Sequence, residues 1–160
     1  MYSLLVIFAA KYLIFINIAI VGIYILLQPR AQWKQITIFA LYTFIPIYII
    51  SFITGKLYFN PRPFVVDNII PLVSHGNTNG FPSDHTLLSG ALSVLMLKYN
   101  KKIGLTLAMF AVIVGVGRVL AGVHHAIDIV ASLVICSLIG YLANIVYGKR
   151  QNLQKKVTTV

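Results

Sequence analysis

The chain of 160 residues has little acid. It contains no glutamate and three aspartates, Asp67, Asp84 and Asp128. So few carboxylates leave no acidic cluster for a hard cation, and neither an HExxH pair nor a Cys/His ligand set is present. There is one cysteine, Cys136, inside an apolar stretch. A lone thiol forms no intrachain disulfide, and in that setting it reads as packing. Charged residues are also scarce, at 10% of the chain against 59% hydrophobic, with mean hydropathy +0.88. A soluble domain of this length needs more polar surface than that. Repeats, low-complexity tracts and soluble linkers are missing too, so one domain over residues 1–160 is expected. No cleavable signal peptide is read at the N-terminus, because the first apolar run is too long and no small-residue site follows it. The formal charge is +10. Apolar segments separate the basic residues, however, and the lack of a continuous basic face argues against a nucleic-acid partner.

What the chain does have is apolar runs. A membrane-crossing helix needs about 20 apolar residues. Five stretches approach that: Leu4–Leu27, Ile36–Thr54, His85–Leu97, Ile103–Val123 and Ile127–Tyr147. The third is short and needs flanking residues to span. The expected fold is therefore an all-α, multi-pass transmembrane bundle of about five spans. Nine of the 13 Lys and Arg residues fall at Arg30/Lys34, Lys98/Lys101/Lys102 and Lys149/Arg150/Lys155/Lys156. These are alternate connections plus the tail, and short basic connections stay cytoplasmic. The 56–84 loop and the 118–126 region are then external. Lys11 does not fit this scheme unless it snorkels or the first ten residues lie along the interface. All three aspartates, all four histidines, Lys56, Arg62 and Arg118 gather at the external ends. Charge beside hydrocarbon is costly and usually marks function.

Three blocks face that side: "KLYFNPRPF" (56–64), "FPSDHT" (81–86) and "GRVLAGVHHAID" (117–128). His124 and Asp128 are four apart, so on a helix they share a face. A carboxylate there accepts the proton of one ring nitrogen and leaves the other as nucleophile or base. A capped helix start with a hydrogen-bonded His fits the same spacing. His125 lies off that face and reads as structural. His75, in a polar Gly/Asn-rich loop, reads as a solvated surface residue. Arg62 between Pro61 and Pro63 is backbone-stiffened and suits either an oxyanion or a lipid headgroup. Lys56 and Arg118 share that alternative. Together with the Ser83 hydroxyl, three cations can cage a phosphoryl group. The same cations would repel a divalent metal, so no metal and no cofactor is expected. Ser83 and Asp84 fit a helix cap. His85 is a poor residue with which to begin a membrane span, and it fits an acid for a leaving oxygen.

The order K-x5-RP, PSDH, R-x5-H-x3-D resembles the phosphatidic acid phosphatase type 2 (PAP2) superfamily. Its signature blocks are K-x6-RP, PSGH and SR-x5-H-x3-D. "YFNPRPF" and "FPSDHT" are most similar to the bacterial undecaprenyl-diphosphatase, or bacitracin-resistance, branch. The resemblance runs from about residue 40 to residue 145. It implies His124 as the nucleophile that forms a phosphohistidine, Asp128 as its orienting carboxylate and His85 as the acid. It implies Arg62, Arg118, Ser83 and, approximately, Lys56 as phosphate contacts, with no metal. The chain departs in three places. Lys56 lies one residue nearer Arg62 than the pattern has it. Asp84 replaces Gly, and caps the helix or tunes His85. Gly117 replaces Ser. The chain is also short, with five spans where many relatives have six.

The function implied is hydrolysis of undecaprenyl diphosphate to its monophosphate at the outer face of the plasma membrane, with a polyprenyl diphosphate lipid as partner. Another lipid phosphate, such as phosphatidylglycerophosphate or phosphatidic acid, is the alternative substrate. A non-enzymatic small membrane protein is the alternative of another class. It explains the spans but not the His, Asp and Arg gathered at one face.

Overall fold

A computed structural model describes residues 1–158 of the protein, with side chains through residue 154. The expected basic residues Lys155 and Lys156 thus lie outside the described side chains. Among the described residues every regular element is helical. Helix α1 runs Tyr2–Leu26 with a π-helical segment at Phe8–Tyr12. It is followed by α2 (Arg30–Leu57), a short α3 (Pro63–Val66), α4 (Asp84–Tyr99), α5 (Lys101–Leu120) and α6 (Ala126–Thr158).

All five apolar stretches become helices, and local chemistry sets their ends. Pro29 sits just before α2, where its missing N–H and fixed φ are tolerated. The Trp33 indole donates to the Gln28 carbonyl across that turn at 3.0 Å. The fourth stretch stops at Leu120 rather than Val123, because Gly122 takes φ +75° and turns the chain out of the helix. Asn100 caps α5, its side chain accepting from the Ile103 N–H at 3.1 Å.

Helices α1, α2, α5 and α6 are each long and apolar enough to cross a membrane. Helix α4 has 16 residues, about 24 Å at 1.5 Å per residue, against a hydrocarbon layer of about 30 Å. It sits in the middle of the bundle and packs on all four long helices. Its thin stripe of small residues, Ser89, Gly90, Ala91 and Ser93, is buried. Such residues let helix backbones approach closely in an apolar surround.

The bundle has two distinct ends. At one, Tyr99 Oη donates to the Gln35 carbonyl at 2.9 Å and Lys98 Nζ to Asn144 Oδ1 at 2.8 Å. The α1–α2 and α4–α5 turns and the outgoing part of α6 meet there, over a core of Val21, Ile36, Phe39, Leu92, Leu95, Met96, Leu107, Ala143 and Tyr147. At the other end Val6, Ala10, Val73, Ala121 and Val123 form a second core. Above that core the 56–64 segment, the 67–83 loop, the start of α4 and the 121–125 turn come together.

Candidate active site

The 121–125 turn joins the last turn of α5 to the first of α6 and points Arg118 and His124 into one space. Both are nearly fully buried, with exposures of 3% and 2%. Asp128, in the first turn of α6, is fully buried. Its Oδ2 accepts from the His125 backbone N–H at 2.9 Å and lies 3.2 Å from His124 Nδ1. Its Oδ1 accepts from Asn60 Nδ2 at 2.7 Å. One carboxylate therefore both caps α6 and holds the His124 ring. With Nδ1–H donating to Asp128, Nε2 carries the lone pair. This tautomer follows from the hydrogen-bond partners.

Two guanidinium groups converge on that lone pair. Arg62 Nη1 lies 3.1 Å and Arg118 Nη2 3.4 Å from His124 Nε2. Arg62 is further held by donating to the Val123 carbonyl at 2.8 Å and the Asn79 carbonyl at 3.1 Å. Arg118 Nη1 donates to the Ala10 carbonyl at 3.4 Å, in the π segment of α1. Burial lowers the His124 pKa; the hydrogen bond to Asp128 opposes that, and the two guanidiniums add to the lowering. A neutral imidazole is the form with a lone pair to offer. Burial also lowers Arg62, against the charges of Asp128 and Asp84.

Asn79 builds the floor of the loop. Its Oδ1 accepts from the Asn60 and Phe81 N–H groups at 2.9 and 3.0 Å. Its Nδ2 donates to the Gly55 and Tyr58 carbonyls at 2.7 and 2.9 Å. Gly80 then passes so near that a Cβ there would stand 3.1 Å from both the Asn60 carbonyl and Asp128 Oδ2. Asn60, Asn79 and Gly80 were not among the expected site residues.

Ser83 is fully buried at the start of α4 but makes no side-chain cap. Its hydroxyl accepts from Thr86 Oγ1 at 3.1 Å, and its N–H donates to Ser132 Oγ at 2.9 Å. Ser132 Oγ in turn donates within α6 to the Asp128 carbonyl at 2.7 Å, so the Ser83–Ser132 bond ties α4 to α6. His85, in the first turn of α4, lies within electrostatic reach of Arg118, His124, His75 and Arg62. His125 stands outside this group, its Nε2 donating to the Pro61 carbonyl at 3.1 Å.

Lys56 and Asp84 are placed differently. Both are exposed and line a neighbouring cavity of about 500 Å³ with Phe59, Asn79 and Phe81. Lys56 Nζ lies over the Phe52 ring, 5.6 Å from its centroid. No hydrogen bond joins Lys56 to the Arg62–Arg118–His124 group. The shortened K-x5-RP spacing starts Lys56 on the last turn of α2, turned toward the flanking cavity.

His75 also differs from expectation. The polar loop around it predicts a solvated ring, yet the ring is half-buried and meets His124 edge-on, with centroids 6.1 Å apart and planes at 82°. Burial, with Arg62 and Arg118 nearby, pushes the His75 imidazole down to about 4. The local sequence carries no signal for this, because the anchors that hold the loop are distant.

Gly117, where the PAP2 pattern has Ser, sits directly under the π segment. A Cβ there would stand 2.8 Å from Ala9 Cβ and 2.9 Å from the Ala10 nitrogen. Close packing of α1 thus accounts for glycine at that position.

Comparison with known proteins adds a lineage. Residues 35–152 match the PAP2 superfamily. The chain is 34% identical over 138 residues to a Bacillus subtilis (strain 168) protein named undecaprenyl-diphosphatase BcrC, covering 86% of this chain and 71% of that one. It is 32% identical over 146 residues to a Bacillus licheniformis protein named bacitracin transport permease protein BcrC, covering 89% and 70%. No solved structure matches.

Proposed function

The chain belongs to the PAP2 superfamily, and from that premise we propose that it hydrolyses undecaprenyl diphosphate to undecaprenyl phosphate and inorganic phosphate at the outer face of the plasma membrane. The observation that carries the reading is His124, with Nδ1 held by Asp128 and Nε2 flanked by Arg62 and Arg118. That is a fixed nucleophile with positive charge already in place around the atom it attacks.

In the first step the Nε2 lone pair forms a bond to the terminal phosphorus. The bond from that phosphorus to the bridging oxygen breaks, and its electron pair stays on the oxygen, which takes a proton from His85. Undecaprenyl phosphate leaves. In the second step a water oxygen bonds to phosphorus and His85 takes the water proton. The N–P pair returns to His124 and phosphate departs. Arg62 and Arg118 carry the charge that develops on the phosphoryl oxygens in both steps. Asp128 stabilises the ring while it bears the phosphoryl group. Ser83, buried beside Asp128, belongs to the phosphate wall. Removing the diphosphate removes the ligand that bacitracin would take, and it returns carrier lipid for cell-wall synthesis. Resistance to bacitracin follows from the same reaction.

The relative named as a bacitracin transport permease suggests a carrier instead. One assay separates these readings. Purified protein in detergent and EDTA should release phosphate from undecaprenyl diphosphate, and His124→Ala should remove nearly all turnover. Loss in EDTA with rescue by Mg²⁺ would reject the phosphohistidine scheme. Faster release from phosphatidylglycerophosphate or phosphatidic acid would reassign the substrate. No release from any of the three would leave the carrier reading standing.

A further inference from the structure

The Ser74–Gly80 stretch is held at both ends. On one side Val73 is buried against Val6, Ala10, Ala121 and Val123, and the Leu72 N–H donates to the Ala121 carbonyl at 3.0 Å. On the other, Asn79 makes the four bonds described above, and Arg62 Nη2 reaches Thr78 Oγ1 at 3.5 Å. His75 between them is therefore positioned by the fold. Its ring stands edge-on to His124, and its Nδ1 is buried without a well-formed hydrogen bond, the neighbouring Gly76 backbone being the one polar group of the loop that acts on the ring. A buried polar atom left unpaired is costly unless it serves a ligand.

We propose that His75 is a further substrate-contacting residue, whose imidazole donates a hydrogen bond from Nδ1 to the phosphoryl group carried on His124. This rests on the reading of His124 as nucleophile. Arg62 and Arg118 spend part of their N–H groups on the carbonyls of Val123, Asn79 and Ala10, while the Nε of each stays unpaired. Phosphoryl oxygens each accept more than one hydrogen bond, so a donor from the neighbouring His75 ring adds to those of the guanidiniums. Burial and the two guanidiniums hold the His75 imidazole neutral, so it adds a donor without adding a third positive charge.

Two variants separate donor from ring. His75→Asn keeps an N–H near the Nδ1 position and loses the ring. His75→Phe keeps the edge-on ring contact and loses the donor. Both are to be compared with wild type by kcat/KM on undecaprenyl diphosphate in detergent. Orthovanadate, as a phosphate mimic, is added in a thermal-shift measurement that needs no turnover. His75→Asn should stay within about threefold of wild type. His75→Phe should fall by about 10- to 100-fold, the worth of one hydrogen bond to a charged group. It should also lose most of the vanadate-induced shift while melting like wild type without vanadate. Full activity in His75→Phe, or equal losses in both variants, overturns the proposal. If wild type itself releases no phosphate, the reading of the whole site fails instead.

Discussion

Asp128 holds three donors at once: the His124 ring, the His125 backbone and the Asn60 amide. Its replacement therefore has two separable effects. Asp128→Asn keeps the size and an acceptor but no longer fixes the His124 tautomer. A drop of roughly 10⁴ in kcat is expected, as for other His–Asp pairs, with a small change in melting temperature. Asp128→Ala strands buried donors and should also cost about 2–5 kcal/mol of stability, read from thermal unfolding in detergent. Equal melting of the two variants would show that the carboxylate serves the ring alone. The contacts among Arg118, His124 and Asp128 are legible in sequence because they depend on one helix end, one turn and an i,i+4 step. Asn60 and Asn79 are not, since their bonds reach across tens of residues and either amide reads locally as turn chemistry. Ser83 shows the limit of local rules. It holds the cap position, yet its hydroxyl is engaged by Thr86.

Among elements, α1 is the least expected. Its existence follows from a long apolar run that holds only Lys11 and Asn17 as strongly polar residues past its first turn, but nothing in that run announces the π segment. That segment lets Ala9 and Ala10 press on Gly117 and turns the Ala10 carbonyl to Arg118. π segments of this kind recur at functional sites. The segment also leaves Lys11 exposed, with Nζ 5.4 Å from the Tyr12 ring centroid. Helix α1 is thus part of the site's wall, although the PAP2 match begins only at residue 35. Gly117→Val should push α1 away by overpacking, at about 1–3 kcal/mol. It should lower kcat/KM through Arg118 even at temperatures where the fold persists. Unchanged activity with a lowered melting temperature would show that α1 supports the fold only. The short α4 follows from sequence as a helix. Its central place does not, because composition does not say which of five apolar helices is shielded by the rest.

At the scale of the molecule, the described basic clusters of Arg30, Lys34, Lys98, Lys101, Lys102, Lys149 and Arg150 belong to the end opposite His124. The charge pattern sorts the ends, and by the positive-inside rule that sorting predicts an external site. In a Cys136→Ser background, Asn77→Cys should react with an impermeant maleimide on intact cells and Lys101→Cys should not. Both positions are exposed on their respective ends. The reverse pattern would turn the site inward and remove the recycling role while leaving the chemistry intact. The site itself is shut, with His124 almost out of solvent and its lone pair already engaged by Arg62 Nη1. In the proposed reaction the guanidiniums must let go of nitrogen to take hold of phosphate. Arrival of the substrate and arming of the nucleophile are then one event, and an enzyme sitting idle between lipids carries a safety catch against stray electrophiles.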